Sequence, residues 1–467
     1  MGISRRNLII GGVCIAGAGI LTPMLRREGS LVPGKPRFGF VNGSDGPIPK
    51  STDAVVVGAG ILGIMTAINL AEKGLSVVIL EKGNIAGEQS SRFYGQLITY
   101  KMEGGTFMLN HMGKKYWRGM NEKIGMDTSY RTQGRVEVPF DDEDLENVKK
   151  WIEKKNEVDA DNPLNTRIIH GDELKSRLKG SKSDWKVAGF EEDSGSLDPE
   201  IATFKMAEHA KKIGIKIYTQ CAVRGIETHG GAVSDVVYER GSIKTSRAIL
   251  CGGAWSRLFM QNLNVNLKTL PAYQSQQLIT GGSGYPGANV ALPGNIFFRE
   301  QADGTYATSP RIEVIPIVKD SFVYGYEYLP LLKAPGAFIH ISINEQLLNS
   351  FSQKTSWKLD EPSPFESNRD MVAVADIVDL NESLIKLKEE FPIFKNSTIV
   401  DRWSGAMAVA PDESPIISNI SEYPGLVVNT ATSWGMTQSP VSASIAASLI
   451  LGEKPVIDPK SFRIDRF

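Results

Sequence analysis

The chain has 467 residues, of which 41% are hydrophobic and 22% are charged, and its formal net charge is −1. This composition is ordinary for a soluble globular protein and excludes collagen-like, disordered and disulfide-scaffold chains. The length leaves room for two or three domains of about 100–200 residues each. Because nucleic-acid binding relies on a surplus of Lys and Arg, the near-neutral charge predicts no DNA or RNA partner.

Cysteines and histidines are few and scattered along the chain. There are three cysteines and five histidines, and none stands in a CxxC, HxH or HExxH pattern. Those spacings are what bring metal-ligating side chains together on one element. We therefore expect neither a disulfide framework nor a metal site.

The N-terminal segment differs in charge from the rest of the chain. Residues 1–50 carry seven Lys or Arg and only two Asp or Glu, and an uncharged apolar stretch over 8–25 follows Arg5 and Arg6. This layout is typical of an export signal, and the adjacent arginines resemble the twin-arginine signal of bacteria. We assign 1–27 to a signal or membrane anchor that associates with the membrane through 8–25, and the proline-containing 28–50 to a linker. The predicted location is periplasmic or membrane-anchored; the alternative is a cytoplasmic protein whose N-terminus targets nothing.

After the linker, the chain predicts a strand, a glycine turn and a helix. The apolar run 54–57 is followed by the sequence Gly58-Ala59-Gly60-Ile61-Leu62-Gly63 and then by an apolar helix. In this GxGxxG arrangement the glycines permit the tight turn, and the helix N-terminus offers N–H donors to a pyrophosphate. A second strand is predicted over 75–80, and Glu81 follows it. A carboxylate at this position can accept hydrogen bonds from the ribose hydroxyls of the adenosine. The unit predicts a dinucleotide-binding site.

The next segment distinguishes among dinucleotides. Residues 81–96, which include Lys82, Ser90-Ser91-Arg92 and Gly95-Gln96, resemble the FAD-dependent amine and amino-acid oxidoreductases, the superfamily of D-amino-acid oxidase, glycine oxidase and sarcosine oxidase. The resemblance implies that the Ser-Ser-Arg stretch meets the flavin pyrophosphate and that Gly95-Gln96 reaches the flavin ring. Hydroxyl, N–H and guanidinium donors are chemically suited to phosphate.

Later segments extend the resemblance to the C-terminus. Asp198 and Pro199 predict the start of a helix that ends at Lys212, and a further apolar helix is predicted over 441–451. By resemblance, further FAD contacts fall on Val223, Gly252, Gly253, Trp255, Gly405, Gly435, Met436 and Thr437. This chain has no histidine within 86–96 and no cysteine near Trp434, so the resemblance implies that FAD is held non-covalently.

The resemblance implies an α/β fold with a Rossmann-like FAD-binding domain and an α+β substrate domain whose sheet is mostly antiparallel. The FAD-binding domain is discontinuous and comprises 51–100, 196–261 and 396–467. The substrate domain comprises 101–195 and 262–395. Within the substrate domain, the run 312–328 has the composition of a strand.

The chain departs from the family at the residue that holds a substrate carboxylate. Relatives typically carry an arginine two residues after the glycine of the Trp-x-Gly motif, and here that position is Met407. A thioether cannot hold a carboxylate bidentately, so any such contact must come from elsewhere in the chain. Arg299, Arg311 and Arg402 are candidates, each with the alternative of being a surface or ion-pair residue.

Aromatic residues near these motifs are candidates for a substrate cage. Tyr94, Tyr273, Tyr326 and Trp434 could line the flavin face, where aromatic rings stack on amines. The alternative is that most of them belong to the core of the substrate sheet.

The function predicted from these observations is oxidation of a C–N bond in an amine or amino-acid-like substrate. Hydride passes to flavin N5, and water hydrolyses the resulting imine. The electron acceptor is dioxygen or quinone. Two alternatives remain open: a flavin dehydrogenase acting on a hydroxy acid or other C–O substrate, and a non-catalytic FAD-binding subunit.

Overall fold

The computed structural model describes residues 25–26, 41–156, 164–282, 285, 289–332, 339–370 and 375–467. The predicted signal lies outside these residues, except for 25–26. The strands are β1 Leu25–Arg26, β2 Ala54–Val57, β3 Val77–Leu80, β4 Gln96–Leu97, β5 Arg131–Thr132, β6 Arg135–Glu137, β7 Thr166–His170, β8 Val187–Glu191, β9 Gly195–Ser196, β10 Lys216–Tyr218, β11 Val223–His229, β12 Ala232–Tyr238, β13 Gly241–Lys244, β14 Ala248–Leu250, β15 Leu270–Ile279, β16 Asn289–Leu292, β17 Ile296–Glu300, β18 Tyr306–Ser309, β19 Glu313–Pro316, β20 Ile339–Ser342, β21 Ile399–Val409, β22 Ile416–Asn419 and β23 Leu426–Thr430.

The α-helices are α1 Ile61–Glu72, α2 Gln89–Arg92, α3 Gly104–Arg118, α4 Met120–Ile124, α5 Asp142–Asn156, α6 Gly171–Arg177, α7 Pro199–Lys212, α8 Ser256–Asn262, α9 Ser321–Tyr324, α10 Leu329–Leu332, α11 Glu345–Ser352, α12 Pro364–Ser367, α13 Ile377–Glu390 and α14 Gly435–Leu451. Short 3₁₀ helices cover Gly253–Trp255, Gly325–Tyr328, Pro392–Phe394 and Pro459–Phe462. Among the helices in these ranges, none combines the length and the apolar character that crossing a membrane requires.

A six-stranded sheet forms the nucleotide-binding half, in the order β10-β3-β2-β14-β23-β22. All its pairs are parallel except β22 with β23. Strands β2 and β3 are short, apolar and almost entirely buried, as expected for strands covered on both faces. The predicted Rossmann-like unit is confirmed.

An eleven-stranded sheet forms the second half, in the order β1-β20-β19-β15-β18-β17-β16-β6-β8-β7, with β21 also paired to β15. Its pairs are antiparallel apart from β1–β20, β19–β20 and β6–β16. The predicted mixed architecture with a mostly antiparallel substrate sheet is therefore present. Strand β21, which the sequence placed with 396–467 in the FAD-binding domain, pairs along its length with β15 in this larger sheet.

The strand predicted for 312–328 is wrong beyond its first residues. Strand β19 ends at Pro316, and the chain then forms α9, a 3₁₀ turn and α10. The last bond to the neighbouring strand runs from the Ile317 N–H to the Ser342 carbonyl at 2.8 Å, and the chain then turns into helix. A short run of apolar and aromatic residues does not by itself separate a strand from helical turns.

Helix predictions hold near the cofactor motifs. Asp198 accepts hydrogen bonds from the backbone N–H groups at the start of α7, which ends at Lys212 as predicted. Helix α14 ends at Leu451 as predicted but begins six residues earlier than 441, with Pro440 inside it. Proline leaves the carbonyl four residues before it, that of Met436, without its helical donor. The indole of Trp117 donates to that carbonyl at 2.6 Å, which compensates for the missing bond.

Candidate functional site

The glycine turn between β2 and α1 is closely packed. Gly58 has φ of +105°, and a Cβ at Gly63 would lie 1.9 Å from the Gly58 carbonyl oxygen. A side chain at either position would collide with backbone atoms, so the turn requires glycine there. The N-terminus of α1, capped by Gly60, opens at this point without a side-chain cap from its N-cap residue. The local geometry is that of an anion-binding helix terminus.

Two side chains brace this turn. The Glu81 carboxylate accepts hydrogen bonds from the N–H groups of Ala59 at 2.8 Å and Gly83 at 2.7 Å. Burial raises the pKa of Glu81, and these two backbone donors oppose the rise. The Ser90 hydroxyl accepts from the N–H of Ile61 at 2.9 Å. Glu81 and Ser90 therefore hold the loop in place as well as facing the space beside it.

A glycine-rich cavity with about 1140 Å³ of free space lies along this loop. Most of the residues predicted to bind FAD line it: Gly58, Gly60, Ile61, Leu62, Glu81, Lys82, Ser90, Val223, Gly252, Gly253, Trp255, Gly435 and Met436. The cavity runs from the strand ends of the six-stranded sheet to the N-terminus of α14. The glycines in its wall and the helix N-terminus at Gly60 suit a dinucleotide, and the contacts predicted for Gly435 and Met436 would place the flavin at the α14 end.

The remaining predicted FAD residues do not line the glycine-rich cavity. Gly63 packs beneath the turn, and the Arg92 guanidinium donates to the Gly87 carbonyl at 3.2 Å. Gly95 has φ of +88° and leaves space that Arg299 fills, and Gly405 packs over the backbone of Arg92. Others lie nearby without lining that wall, namely Ser91, Gln96 and Thr437. Their contacts with FAD stay predictions.

A second cavity, the arginine cavity, adjoins the first at Phe93. It has about 590 Å³ of free space and is lined by Phe93, Tyr94, Gln96, Ile98, Arg135, Gln274, Phe297, Ser309, Arg311, Glu313, Met407, Ser433 and Trp434. The two cavities also share one segment, because Ser433 and Trp434 face the second while Gly435 and Met436 face the first. A small molecule in the arginine cavity would thus lie beside a ring bound at the end of the glycine-rich cavity.

Three cations and one carboxylate organise the wall of the arginine cavity. Glu137 is bonded to Arg135, lies 3.3 Å from Arg311 and lies 3.7 Å from the Lys101 ammonium. Burial alone would raise the pKa of Glu137, but the charges of Arg135, Arg311 and Lys101 outweigh it and lower the pKa to about 2. Glu137 therefore stays ionised, and the cluster retains net positive charge at the cavity surface.

Arg311 is the cation of this cluster best placed to meet a ligand. Its side chain is 33% exposed, whereas that of Arg135 is 2% exposed and is also bonded to Gln96. The Arg311 guanidinium lies 5.2 Å from the centre of the Phe297 ring, and its backbone has φ of +56°. A left-handed conformation at a non-glycine residue costs roughly 1–3 kcal/mol and is concentrated at functional sites.

Unpartnered polar groups also face this region. Among the described residues, Nε2 of Gln96 and Oγ of Ser433 have no hydrogen-bond partner. Buried polar groups are normally satisfied, so each orphan indicates a place for a ligand atom or a water molecule. Glu313, directly across the sheet from Gln274, adds a carboxylate to the same cavity, and burial raises its pKa to about 7.

The predicted aromatic cage is only partly assembled. Tyr94 and Trp434 line the arginine cavity. Tyr273 is buried under the sheet and donates to Oε1 of Gln346, and Tyr326 is 70% exposed on a 3₁₀ turn. The structure therefore places Tyr273 and Tyr326 away from this cavity, because alternate residues of β15 face opposite sides of the sheet and the Tyr326 side chain points to the surface.

Of the three candidate carboxylate-binding arginines, only Arg311 lines the cavity. Arg299 is 2% exposed and donates to the Tyr94 carbonyl at 2.6 Å. Arg402 bonds Gln277 and Asn381 and lines neither cavity. Met407 lines the arginine cavity together with Arg311, so the position at which relatives carry arginine borders the cavity that Arg311 enters.

Sequence reasoning missed Arg135, Glu137, Gln274, Phe297 and Glu313. A signal was present in the sequence Arg135-Val136-Glu137, where charged residues alternate with a buried apolar one. Charges at alternate positions of a strand share one face, which is unusual inside a domain. Arg311-Ile312-Glu313 repeats the pattern, and the two segments meet where Arg311 pairs with Glu137.

Comparison with known proteins supplies the context for this geometry. The family model described as FAD dependent oxidoreductase matches residues 53–449. The chain is 68% identical to an L-amino acid deaminase from Proteus vulgaris, with a TM-score of 0.90 over 92% of this chain and 100% of that one. It is 54% identical to an L-amino acid deaminase from Proteus myxofaciens solved in complex with anthranilate, with a TM-score of 0.92 over 95% and 100% of the two chains. A glycine oxidase from Pseudomonas aeruginosa is 25% identical over 88% of this chain and 98% of its own length.

Proposed function

The chain belongs to the family of FAD dependent oxidoreductases that act on C–N bonds, and we propose that within it the protein deaminates L-α-amino acids oxidatively. The amino acid loses hydride from Cα and a proton from nitrogen to give an α-imino acid. Water then adds to the C=N bond, and ammonia leaves to give an α-keto acid. Bound FAD supplies the acceptor for the hydride at N5 of its flavin ring.

The observation that carries this proposal is the guanidinium of Arg311 in a cavity that adjoins the flavin end of the glycine-rich cavity. An arginine held from behind by a carboxylate and stacked over an aromatic ring is pre-organised to accept a second carboxylate. Met407 occupies the position where relatives carry arginine, and Arg311, in the connection between β18 and β19, supplies the same chemistry from elsewhere in the chain. The substrate class that this arrangement suits is an amine with an adjacent carboxylate.

The relatives support the same class of substrate. The two Proteus proteins are L-amino acid deaminases, and anthranilate, present in one of them, carries a carboxylate and an amine on neighbouring carbons. In this chain such a ligand would place its carboxylate on Arg311. The amide of Gln96, whose Nε2 lacks a partner among the described residues, is available to a carboxylate oxygen or a flavin oxygen.

The remaining residues of the cavity orient the substrate and exclude water. Phe93, Ile98 and Trp434 give the arginine cavity an apolar wall, and Phe93 also lines the glycine-rich cavity. No histidine lines the arginine cavity in the described part of the chain. We propose that the substrate amine reacts in its neutral form, having given its ammonium proton to solvent, and that the chain contributes positioning and desolvation.

The test is anaerobic reduction of the FAD-loaded protein by a panel of L- and D-amino acids, the matching primary amines and 2-hydroxy acids. We expect bleaching of the flavin by L-amino acids, with stoichiometric α-keto acid and ammonia. The amines that lack a carboxylate should react far more slowly. Reduction by hydroxy acids alone, or by no compound while FAD is bound normally, would contradict the proposal.

The electron acceptor and the cellular location are further parts of the proposal. We propose that dioxygen or a quinone reoxidises the flavin, and peroxide yield in air compared with reduction of a soluble quinone analogue distinguishes them. We also propose export through Arg5, Arg6 and the apolar stretch 8–25, because that layout is typical of a signal. Cell fractionation and N-terminal sequencing test this, and an intact Met1 on a soluble cytoplasmic protein would contradict it.

A further inference from the structure

We propose that Glu313 selects L-amino acids whose side chain ends in a cation, such as arginine, lysine or protonated histidine. This inference rests on the proposed function and adds the substrate subclass. The carboxylate lines the same cavity as Arg311, the residue that would hold the substrate carboxylate. One small cavity thus offers a cationic anchor and, separately, an anionic one.

Glu313 has no ion-pair partner in the part of the chain that the structure describes. Its backbone pairs with Gln274 and Ile339, but no hydrogen bond or ion pair joins its carboxylate to any residue that the structure describes, and Arg311 is paired instead with Glu137. A carboxylate inside a cavity is costly to keep charged unless a cation or hydrogen-bond donors compensate it. A ligand that brings a positive charge removes that cost, whereas an apolar side chain does not.

The pKa of Glu313 is set by its burial and by two neighbouring charged groups. Burial, assisted by the nearby charge of Glu413 and opposed by that of Arg311, raises the pKa of Glu313 to about 7. Across the sheet on β15 stands the neutral Gln274, while on β20 His340 lies opposite Val314, so it points to the other face of the sheet. The charged groups that act on Glu313 are therefore Arg311 and Glu413.

Binding of the substrate strengthens the selection. Once an α-carboxylate occupies Arg311, the cation that favours an ionised Glu313 is neutralised by the ligand. A substrate with a neutral side chain then leaves the carboxyl protonated or unpaired. A substrate with a cationic side chain supplies the missing charge within the same complex, and Gln274 adds hydrogen-bonding groups beside it.

The experiment compares arginine with citrulline, a neutral isostere in which urea replaces guanidinium. Anaerobic flavin reduction and kcat/KM are measured for wild type and Glu313→Gln, with flavin content and thermal midpoint as checks on folding. Loss of one partner of a buried charge pair predicts that kcat/KM for arginine falls roughly 30-fold in Glu313→Gln, while citrulline changes by less than about threefold. Glu313→Leu should in addition favour norleucine.

The pH dependence provides a readout that a merely structural role would not move. A carboxyl group is charged above its pKa, and arginine stays charged throughout, so the preference of wild type for arginine over citrulline should rise as pH passes upward through about 7. The preference of Glu313→Gln should stay flat over the same range. As a matched control, Glu413→Gln removes a neighbouring carboxylate that does not line the cavity.

The outcomes separate this inference from the proposed function. If both proteins oxidise amino acids but the arginine-to-citrulline ratio is equal in wild type and Glu313→Gln, the role of Glu313 is refuted. Equal effects of Glu413→Gln and Glu313→Gln also refute it. The preference for arginine would then come from the negative charge of the whole region and not from contact between the substrate and Glu313. If no amino acid reduces bound FAD in wild type, the proposed function itself fails.

Discussion

Replacement of Arg311 by glutamine tests the centre of the proposed site. The substitution keeps hydrogen-bonding capacity and approximate length but removes the charge and the two-pronged donor geometry. Glu137, the present partner of Arg311, keeps its bonds to Arg135 and its contact with Lys101, so no buried carboxylate is left alone. We therefore expect the folded state to lose only about 1 kcal/mol of stability.

The effect on ligand binding should be larger than the effect on folding. Removing one member of a buried charge pair costs about 2–5 kcal/mol, and the 33% exposure of the Arg311 side chain places it at the low end. A loss of about 2 kcal/mol corresponds to a dissociation constant roughly 30-fold higher. The same weakening should appear in kcat/KM for L-amino acids if the contact forms in both ground and transition states.

The assay is titration of the FAD-loaded protein with anthranilate and with aniline, which lacks the carboxylate, followed by the flavin absorbance change. Anthranilate should bind Arg311→Gln roughly 30-fold more weakly than wild type, and aniline should change by less than about threefold. Arg402→Gln is the matched control, since Arg402 bonds Gln277 and Asn381 and lines neither cavity. Unchanged anthranilate binding, or equal loss of both ligands, would refute the assignment.

Two further substitutions test the cofactor cradle and the core beside it. Gly63→Ala puts a Cβ 1.9 Å from the Gly58 carbonyl oxygen, so we expect protein with little bound FAD, measured as the flavin-to-protein ratio, while Gly325→Ala, with nothing within 4 Å, should bind FAD normally. A normal ratio in Gly63→Ala would contradict the close-packed turn. Lys114→Met removes the cation from the fully buried Glu191 and should cost about 3–5 kcal/mol in urea unfolding. A loss below about 1 kcal/mol would show that Glu191 is satisfied by other donors.

The parts of the molecule that sequence predicts well are those set by local constraints. The turn at Gly58 and Gly63 needs glycine because neighbouring backbone would collide with any Cβ, and that requirement is visible in the spacing of the motif. The start of α7 is equally local, since Asp198 caps the helix whose first residue is Pro199. In both cases the residues that make the structure stand within a few positions of one another.

The arginine cavity was not predicted because its residues meet through strand register. Gln274 lies beside Glu313 only because β15 pairs with β19, and Arg135 approaches Phe297 across separate strands of the same sheet. Pairing over such separations is not encoded by local spacing. The same reason explains why Tyr273 was proposed for the cage although it lies next to Gln274 and faces the opposite side.

This difference in how the two cavities are built has a consequence for how the protein can vary. The glycine-rich cavity depends on close backbone approach at Gly58 and Gly63, so a substitution at either position should disturb FAD binding. The arginine cavity depends on side chains that project from a large sheet whose backbone pairing does not require their identity. Exchanging Glu313 or Met407 for another residue should therefore change which amino acid is preferred while FAD, and the hydride acceptor it supplies, stays in place. In this fold the side chains of the eleven-stranded sheet should therefore determine substrate preference, whereas the glycine motif determines cofactor binding.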